Sequence, residues 1–82
     1  MALFDSLTKE MKLQAIDMRI MSLATQLYGV LVSAGVDPET TNLSTFDPTT
    51  DLDGTYSGYV QEIQRLKEQV AHAEQIREKV AL

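Results

Sequence analysis

The chain has 82 residues, a formal net charge of −5, no cysteine and one histidine. A chain of this length forms a single domain and buries only ~60% of its extended surface, so it is marginally stable alone. Without cysteine it has no disulfide framework, no thiolate metal site and no cysteine nucleophile, and oligomerisation or docking remain as sources of extra stability.

The negative charge lies in the middle of the chain. Acidic and basic side chains cancel within residues 1–34 and again within residues 56–82. The excess comes from Asp37, Glu39, Asp47, Asp51 and Asp53. Because no basic patch is available to replace the counterions of a phosphate backbone, we expect no direct binding to nucleic acid.

The first predicted element is a helix over residues 6–34, ~45 Å long. Asp5 or Ser6 is a suitable N-cap. Gly35 suits the left-handed position after a helix, and Asp37-Pro38 follows as a stop. The segment before the helix lacks a basic region followed by an apolar run, so we expect no secretory signal.

Two apolar stripes run along this helix. One is a seam with a 3-4 spacing, typical of a helix that packs on another helix. The second lies roughly 150° away at about 100° per residue. One helix therefore needs cover on two nearly opposite sides, and the rest of the chain can cover only one. The seam comprises Leu13, Ile16, Ile20, Leu23, Leu27, Val30 and Ala34, and the second stripe Leu7, Met11, Met18, Met21, Tyr28 and Val32.

The same helix has a strip of small residues and an uncharged run. Thr25, Gly29 and Ser33 form a strip of small residues that would permit a close helix approach, which could offset the roughly 1 kcal/mol that a helical glycine costs. Residues 20–36 carry no charge. That run is at the short limit for a membrane span and contains polar side chains, so a membrane role is not expected.

Residues 35–55 form a loop that is too long for a simple hairpin connection. The steps Asp37-Pro38 and Asp47-Pro48 each resemble an N-cap followed by proline at the first helical position, so each is able to start one helical turn. Leu43, Phe46 and Leu52 are suited to anchor the loop on an apolar surface.

The second long helix is predicted over residues 56–81. Its apolar ladder pairs with the seam of the first helix when the two run antiparallel, except that Arg77 falls opposite Ile16 and Asp17 falls near Glu74. The predicted fold is therefore all-α: an antiparallel helical hairpin of two long amphipathic helices joined by a long, partly structured acidic loop, completed by oligomerisation or docking. It forms one domain over residues 1–82.

The alternative is that the first helix pairs with a copy of itself through the same seam. In a parallel pair, Lys12 of one copy would meet Asp17 of the other. The hairpin has more good layers and is preferred.

Candidates for catalysis or metal binding are weak. Around Gly54 the loop resembles part of a calcium loop, but setting Gly54 sixth places Thr49, Tyr56 and Val60 at three key positions that they do not suit. His72 lies on the polar side of the second helix, with no nucleophile paired to it by spacing. We expect no enzyme activity, no cofactor and no metal.

The expected function is that of a structural, assembly or accessory subunit of a larger protein complex, with a viral particle component as one possibility. Its location would then be the cytoplasm, or a virion assembled in a host cytoplasm. The alternative is a small acidic regulatory module whose loop occupies a basic surface of a partner protein. The predicted partner-binding residues are Leu7, Met11, Met18, Met21, Thr25, Tyr28, Gly29, Val32, Leu43, Phe46 and Leu52.

Overall fold

A computed structural model describes residues 3–82 of the chain. Helix makes up 71% of the described residues, and they contain no strand. The elements are α1 (Lys9–Ser33), α2 (Pro48–Asp51), a 3-10 segment (Gly54–Tyr59) and α3 (Val60–Ala81). The prediction of an all-α chain in which helices pack together is confirmed, since α1 and α3 contact each other along their lengths.

Helix α1 begins later than predicted. Its N-cap is Thr8, whose side-chain oxygen accepts a hydrogen bond from the Met11 backbone N–H at 3.1 Å. The expected caps, Asp5 and Ser6, lie instead in a turn in which the Leu7 N–H donates to the Phe4 carbonyl. Serine, threonine and aspartate are all good caps, so residue type alone does not choose among Asp5, Ser6 and Thr8. Because Asp5 and Ser6 lie in the preceding turn, Thr8 becomes the cap.

The C-terminus of α1 ends in a Schellman motif. Gly35 has a φ of +79°, and the Val36 N–H donates to the Leu31 carbonyl at 2.9 Å. The Gly35 N–H donates to the Val32 carbonyl at 3.1 Å, which completes the pair of bonds expected there. The left-handed backbone at Gly35 favours glycine, and a Cβ there would also lie close to the Tyr56 ring, at 3.2 Å.

The loop is built from short capped turns. Asp47 caps α2, which begins with Pro48, and Asp53 caps the 3-10 segment. Regular α3 begins at Val60, four residues later than predicted at Tyr56, because Tyr56 has non-helical angles of φ −104° and ψ 17°. The two glycines in Gly54–Tyr59 lower the helix propensity of this stretch.

The described residues form an elongated shape, 50 × 23 × 18 Å. Gly35 lies next to Tyr56 toward one end, and Asp17 contacts Arg77 toward the other. The buried core lies at the end where Gly35 meets Tyr56, which is also the end that carries the loop. It comprises Leu23, Leu27, Leu31, Ala34, Phe46, Ile63 and Leu66, with Val30, Val36, Leu43, Leu52 and Val70 partly buried against it.

Candidate functional site

The exposed side of α1 carries a row of large apolar side chains, which we call the Met face. Met21 is 71% exposed and Met18 is 66% exposed, and the other members are about half exposed. The buried residues of α1 belong to the opposite side of the helix, toward α3. The rest of the described chain therefore leaves most of the Met face uncovered. Its members are Met11, Met18, Met21, Tyr28 and Val32.

Polar groups along the Met face are satisfied within the chain. The Thr25 hydroxyl donates to the Met21 carbonyl at 2.8 Å, and the Tyr28 hydroxyl donates to Glu39 at 3.1 Å. The hydrogen bond to the Glu39 carboxylate raises the pKa of Tyr28 above its ordinary value. Gly29 is exposed, and a Cβ there would meet nothing. The predicted close helix approach at Gly29 is therefore not made within this chain.

The other predicted site residues lie away from the Met face. Phe46 is only 8% exposed and belongs to the core, while Leu43 and Leu52 pack against that core. These three anchor the loop on their own chain. The interpretation of Phe46 as a partner contact is thus corrected, because its ring is already covered. Leu7 is half-buried beside α3.

The carboxylates of the acidic loop are engaged in local hydrogen bonds. Asp47 accepts from the Thr49 N–H at 2.9 Å, and its bonds with Thr49 lower the pKa of Asp47. Asp53 accepts from the Thr55 N–H at 2.9 Å, and this bond lowers the pKa of Asp53. Asp37, Asp51 and Glu39 also accept hydrogen bonds. Their oxygens therefore stabilise turns and anchor Tyr28.

Residues 3–82 contain no group of three or more histidine, cysteine, aspartate or glutamate side chains that could hold a metal ion. Within the same range, no helix combines the length and the apolar character that crossing a membrane requires.

An ion pair joins the two long helices. Arg77 Nε donates to Asp17 at 2.6 Å, and both side chains are about half exposed. The hydrogen bond lowers the pKa of Asp17 and raises the pKa of Arg77. The sequence placed Arg77 against Ile16 as a mismatched layer. The pair with Asp17 was not predicted, and it forms because the long arginine side chain reaches sideways to the neighbouring residue.

An apolar groove between α1 and α3 was not predicted. Its main part has a volume of about 490 Å³, and a second part of about 360 Å³ shares Ala15, Ile16 and Ile76 with it. We call the two parts together the open groove. Polar side chains at its walls are Lys12, Arg19, Glu68, Gln69 and His72, and the remaining lining residues are Phe4, Leu7, Leu23, Ala73 and Val80.

Two features of the sequence could have indicated this groove. Ile76 lies one step off the apolar ladder of α3, and Ala15 lies beside the seam of α1, so neither fits a simple two-helix contact. In the structure both line the groove, and Ile76 remains 38% exposed. The side-chain oxygen of Gln69 is buried there and has no hydrogen-bond partner among residues 3–82.

No protein-family model matches the chain, and neither the curated proteins nor the solved structures give a match to it.

Proposed function

We propose that the chain is a non-enzymatic assembly or accessory subunit of a larger protein complex, held there through the Met face of α1. A particle assembled in a host cytoplasm, such as a virion, is one setting for such a subunit. The observation that carries the proposal is the exposure of Met18 and Met21, at 66% and 71%, on a helix whose other side is buried.

The energetics favour a covered Met face. Full burial of a side chain such as methionine contributes about 1.5–3 kcal/mol. A small domain has a total stability of only about 5–15 kcal/mol. Contiguous exposed apolar surfaces on soluble proteins usually mark interaction sites. Methionine suits such a surface, because its unbranched side chain adapts to the partner.

The acidic loop is less suited to bind a basic surface of a partner protein. Its carboxylates are already acceptors for Thr49, Thr55, Tyr28 and neighbouring backbone N–H groups. A partner's basic side chains would have to share these acceptors. The proposal therefore assigns docking to the Met face and not to the loop.

The test compares two substitutions that add the same charge at exposed helical positions. Met18→Asp places a carboxylate on the Met face, and Gln75→Asp places one on the exposed surface of α3. Each full-length variant is expressed in the cells that naturally make the chain, and extracts are fractionated by size.

The wild type and Gln75→Asp should elute far above the 9.1 kDa of the free chain. Met18→Asp should elute as free chain, because an unpaired carboxylate buried in an apolar interface costs several kcal/mol. Circular dichroism checks that both variants keep their helix. Elution of Met18→Asp with the wild-type complex would contradict the proposal.

A further inference from the structure

The chain carries two exposed apolar surfaces. The Met face lies on the outer side of α1, and the open groove is a depression between α1 and α3. We propose that the open groove of one copy receives the Met face of a second copy, so that copies associate head to tail. The inference rests on the proposed function and names a second copy as the partner of the Met face.

The two surfaces agree in length. Along α3 the groove extends from Glu68 to Val80, which is ~18 Å at 1.5 Å per residue. The methionine part of the Met face, Met11 to Met21, is ~15 Å long on the same basis. A helix that lays such a row into a groove between two others reproduces the usual helix-in-groove mode of binding.

The two surfaces also carry opposite charge at their edges. Lys12 and Arg19 line the groove. Glu10 and Asp17 line a depression of about 440 Å³ that also contains Met18. Among the described residues, Lys12, Arg19 and Glu10 form no ion pair. Glu68 also lines the groove, and Arg77 lines the depression beside the Met face, where it pairs with Asp17. The groove edge therefore carries one more basic than acidic side chain, and the border of the Met face carries one more acidic than basic side chain.

The spacing of these charges selects one arrangement. The two basic residues are seven positions apart, and so are the two acidic residues. Suppose that α1 of the second copy runs antiparallel to α1 of the first. When Asp17 of the second copy lies level with Lys12 of the first, Glu10 of the second copy lies level with Arg19 of the first. The same alignment sets the second copy's methionines beside residues 8–18 of the first, where Ala15 and Ile16 line the groove.

Such a contact is heterologous, because the two copies use different surfaces. Each added copy presents a free groove and a free Met face, so association continues into a ring or an open filament. A symmetric dimer made from two Met faces would instead stop at two copies.

Two variants separate these arrangements. Met18→Asp alters the Met face and leaves the groove intact, whereas Ile76→Asp alters the groove and leaves the Met face intact. Both positions are exposed in the free chain, so neither change buries a charge in the core. Gln75→Asp, next to Ile76 in sequence, is the matched control. The purified full-length proteins are measured by sedimentation across a concentration series.

The wild type and Gln75→Asp should form species larger than a dimer. Met18→Asp and Ile76→Asp should each remain monomeric, with association weakened at least about 100-fold. An equimolar mixture of these two variants should form a dimer that grows no further, because one intact groove can receive one intact Met face. That result would support head-to-tail association.

Three outcomes would overturn the inference. A mixture that stays monomeric excludes the complementary contact. A Met18→Asp variant that stays monomeric while Ile76→Asp associates normally shows that Met faces pair with each other, which leaves the proposed function intact. A wild type that is monomeric at high concentration excludes self-association. Docking to another protein is then tested separately by the fractionation of cell extracts.

The charge alignment has its own test. Arg19→Glu should weaken association by about two- to fivefold, as expected for an exposed pair. Adding Glu10→Lys to the same chain should restore it, because the reversed charges meet between copies. A double variant that is weaker than the single variant would exclude this alignment.

Discussion

The two ends of the helix pair contain similar apolar residues but differ in how those residues are covered. At the loop end, which we call the closed end, Leu23, Leu31, Ile63 and Leu66 are at most 1% exposed. At the other end, the open end, Leu13 and Ile16 of the same seam are only half-buried. The difference lies in the loop, which packs Phe46 and its neighbours over the closed end only. Two helices alone do not enclose a core, and a third layer does.

The largest expected effect comes from removing that third layer. Phe46→Ala should destabilise the chain by about 3–5 kcal/mol, the usual range for a core phenylalanine. Its ring is 8% exposed and belongs to the core cluster. Urea unfolding followed by circular dichroism measures the loss. Thr45→Ala is the control: it removes only an exposed hydroxyl that donates to the Asn42 carbonyl, and it should cost no more than about 1 kcal/mol. A loss below about 1 kcal/mol for Phe46→Ala would show that the loop does not cover the core.

A matched pair of leucines compares the two ends directly. Leu66→Ala at the closed end should cost about 2–5 kcal/mol, because the side chain is fully buried. Leu13→Ala at the open end should cost about 1 kcal/mol, because its half-buried side chain leaves no enclosed cavity. Equilibrium unfolding at concentrations where the chain is monomeric gives both values. Equal losses would contradict the contrast between the ends.

Two glycines compare the turn that ends α1 with the exposed side of the helix. Gly35→Ala should destabilise by about 1–2 kcal/mol, because its φ of +79° is left-handed and a Cβ would crowd Tyr56. Gly29→Ala should stabilise the free chain by about 0.5–1 kcal/mol, because the position is helical and open. Thermal unfolding measures both. If a partner approaches Gly29 closely, the same substitution should weaken assembly while it raises stability.

The smallest effect concerns Asp17 and Arg77. The pKa of Asp17 is lowered below 3.8 in the folded chain by its bond to Arg77. The folded state therefore binds fewer protons than the unfolded state near that pH. The stabilisation is fully present above 3.8 and is lost as the pH falls through the lowered pKa.

The stability difference between wild type and Asp17→Asn should therefore shrink on acidification from about pH 7 to about pH 3. The measurement is urea unfolding of both proteins at each pH. Glu10→Gln, which removes a carboxylate without an ion pair among the described residues, is the control for general charge effects. A difference that stays constant with pH would contradict a role for the ion pair.

Apolar spacing was sufficient to predict the two long helices and the exposed side of α1. Met18, Met21 and Val32 stand on the side opposite the seam, and the structure leaves them exposed. Helix starts were less predictable. Thr8, Ser6 and Asp5 are nearly equivalent caps, and the choice depends on a backbone turn that no side-chain pattern encodes.

The ion-pair partner of Arg77 could not be predicted by aligning the apolar residues of the two helices in opposing layers. A layer scheme assigns each residue one opposite neighbour, whereas a long side chain can reach a neighbour beside it, as Arg77 reaches Asp17. The open groove depends in turn on how far the loop extends over the helix pair. Loop length bounds that distance, but the contacts of Phe46 fix it.

Hydrogen exchange of the purified full-length chain tests the central claim most directly. Measured at a dilution where the chain is monomeric, backbone N–H groups of residues 23–31 and 63–66 should exchange most slowly, and those of residues 11–20 and 73–80 faster. On assembly, protection should rise in residues 11–20 and 73–80, which carry Met11, Met18 and much of the open groove, while residues 63–66 at the closed end stay unchanged. Equal protection of both ends in the dilute chain, or no gain at the open end on assembly, would contradict the account.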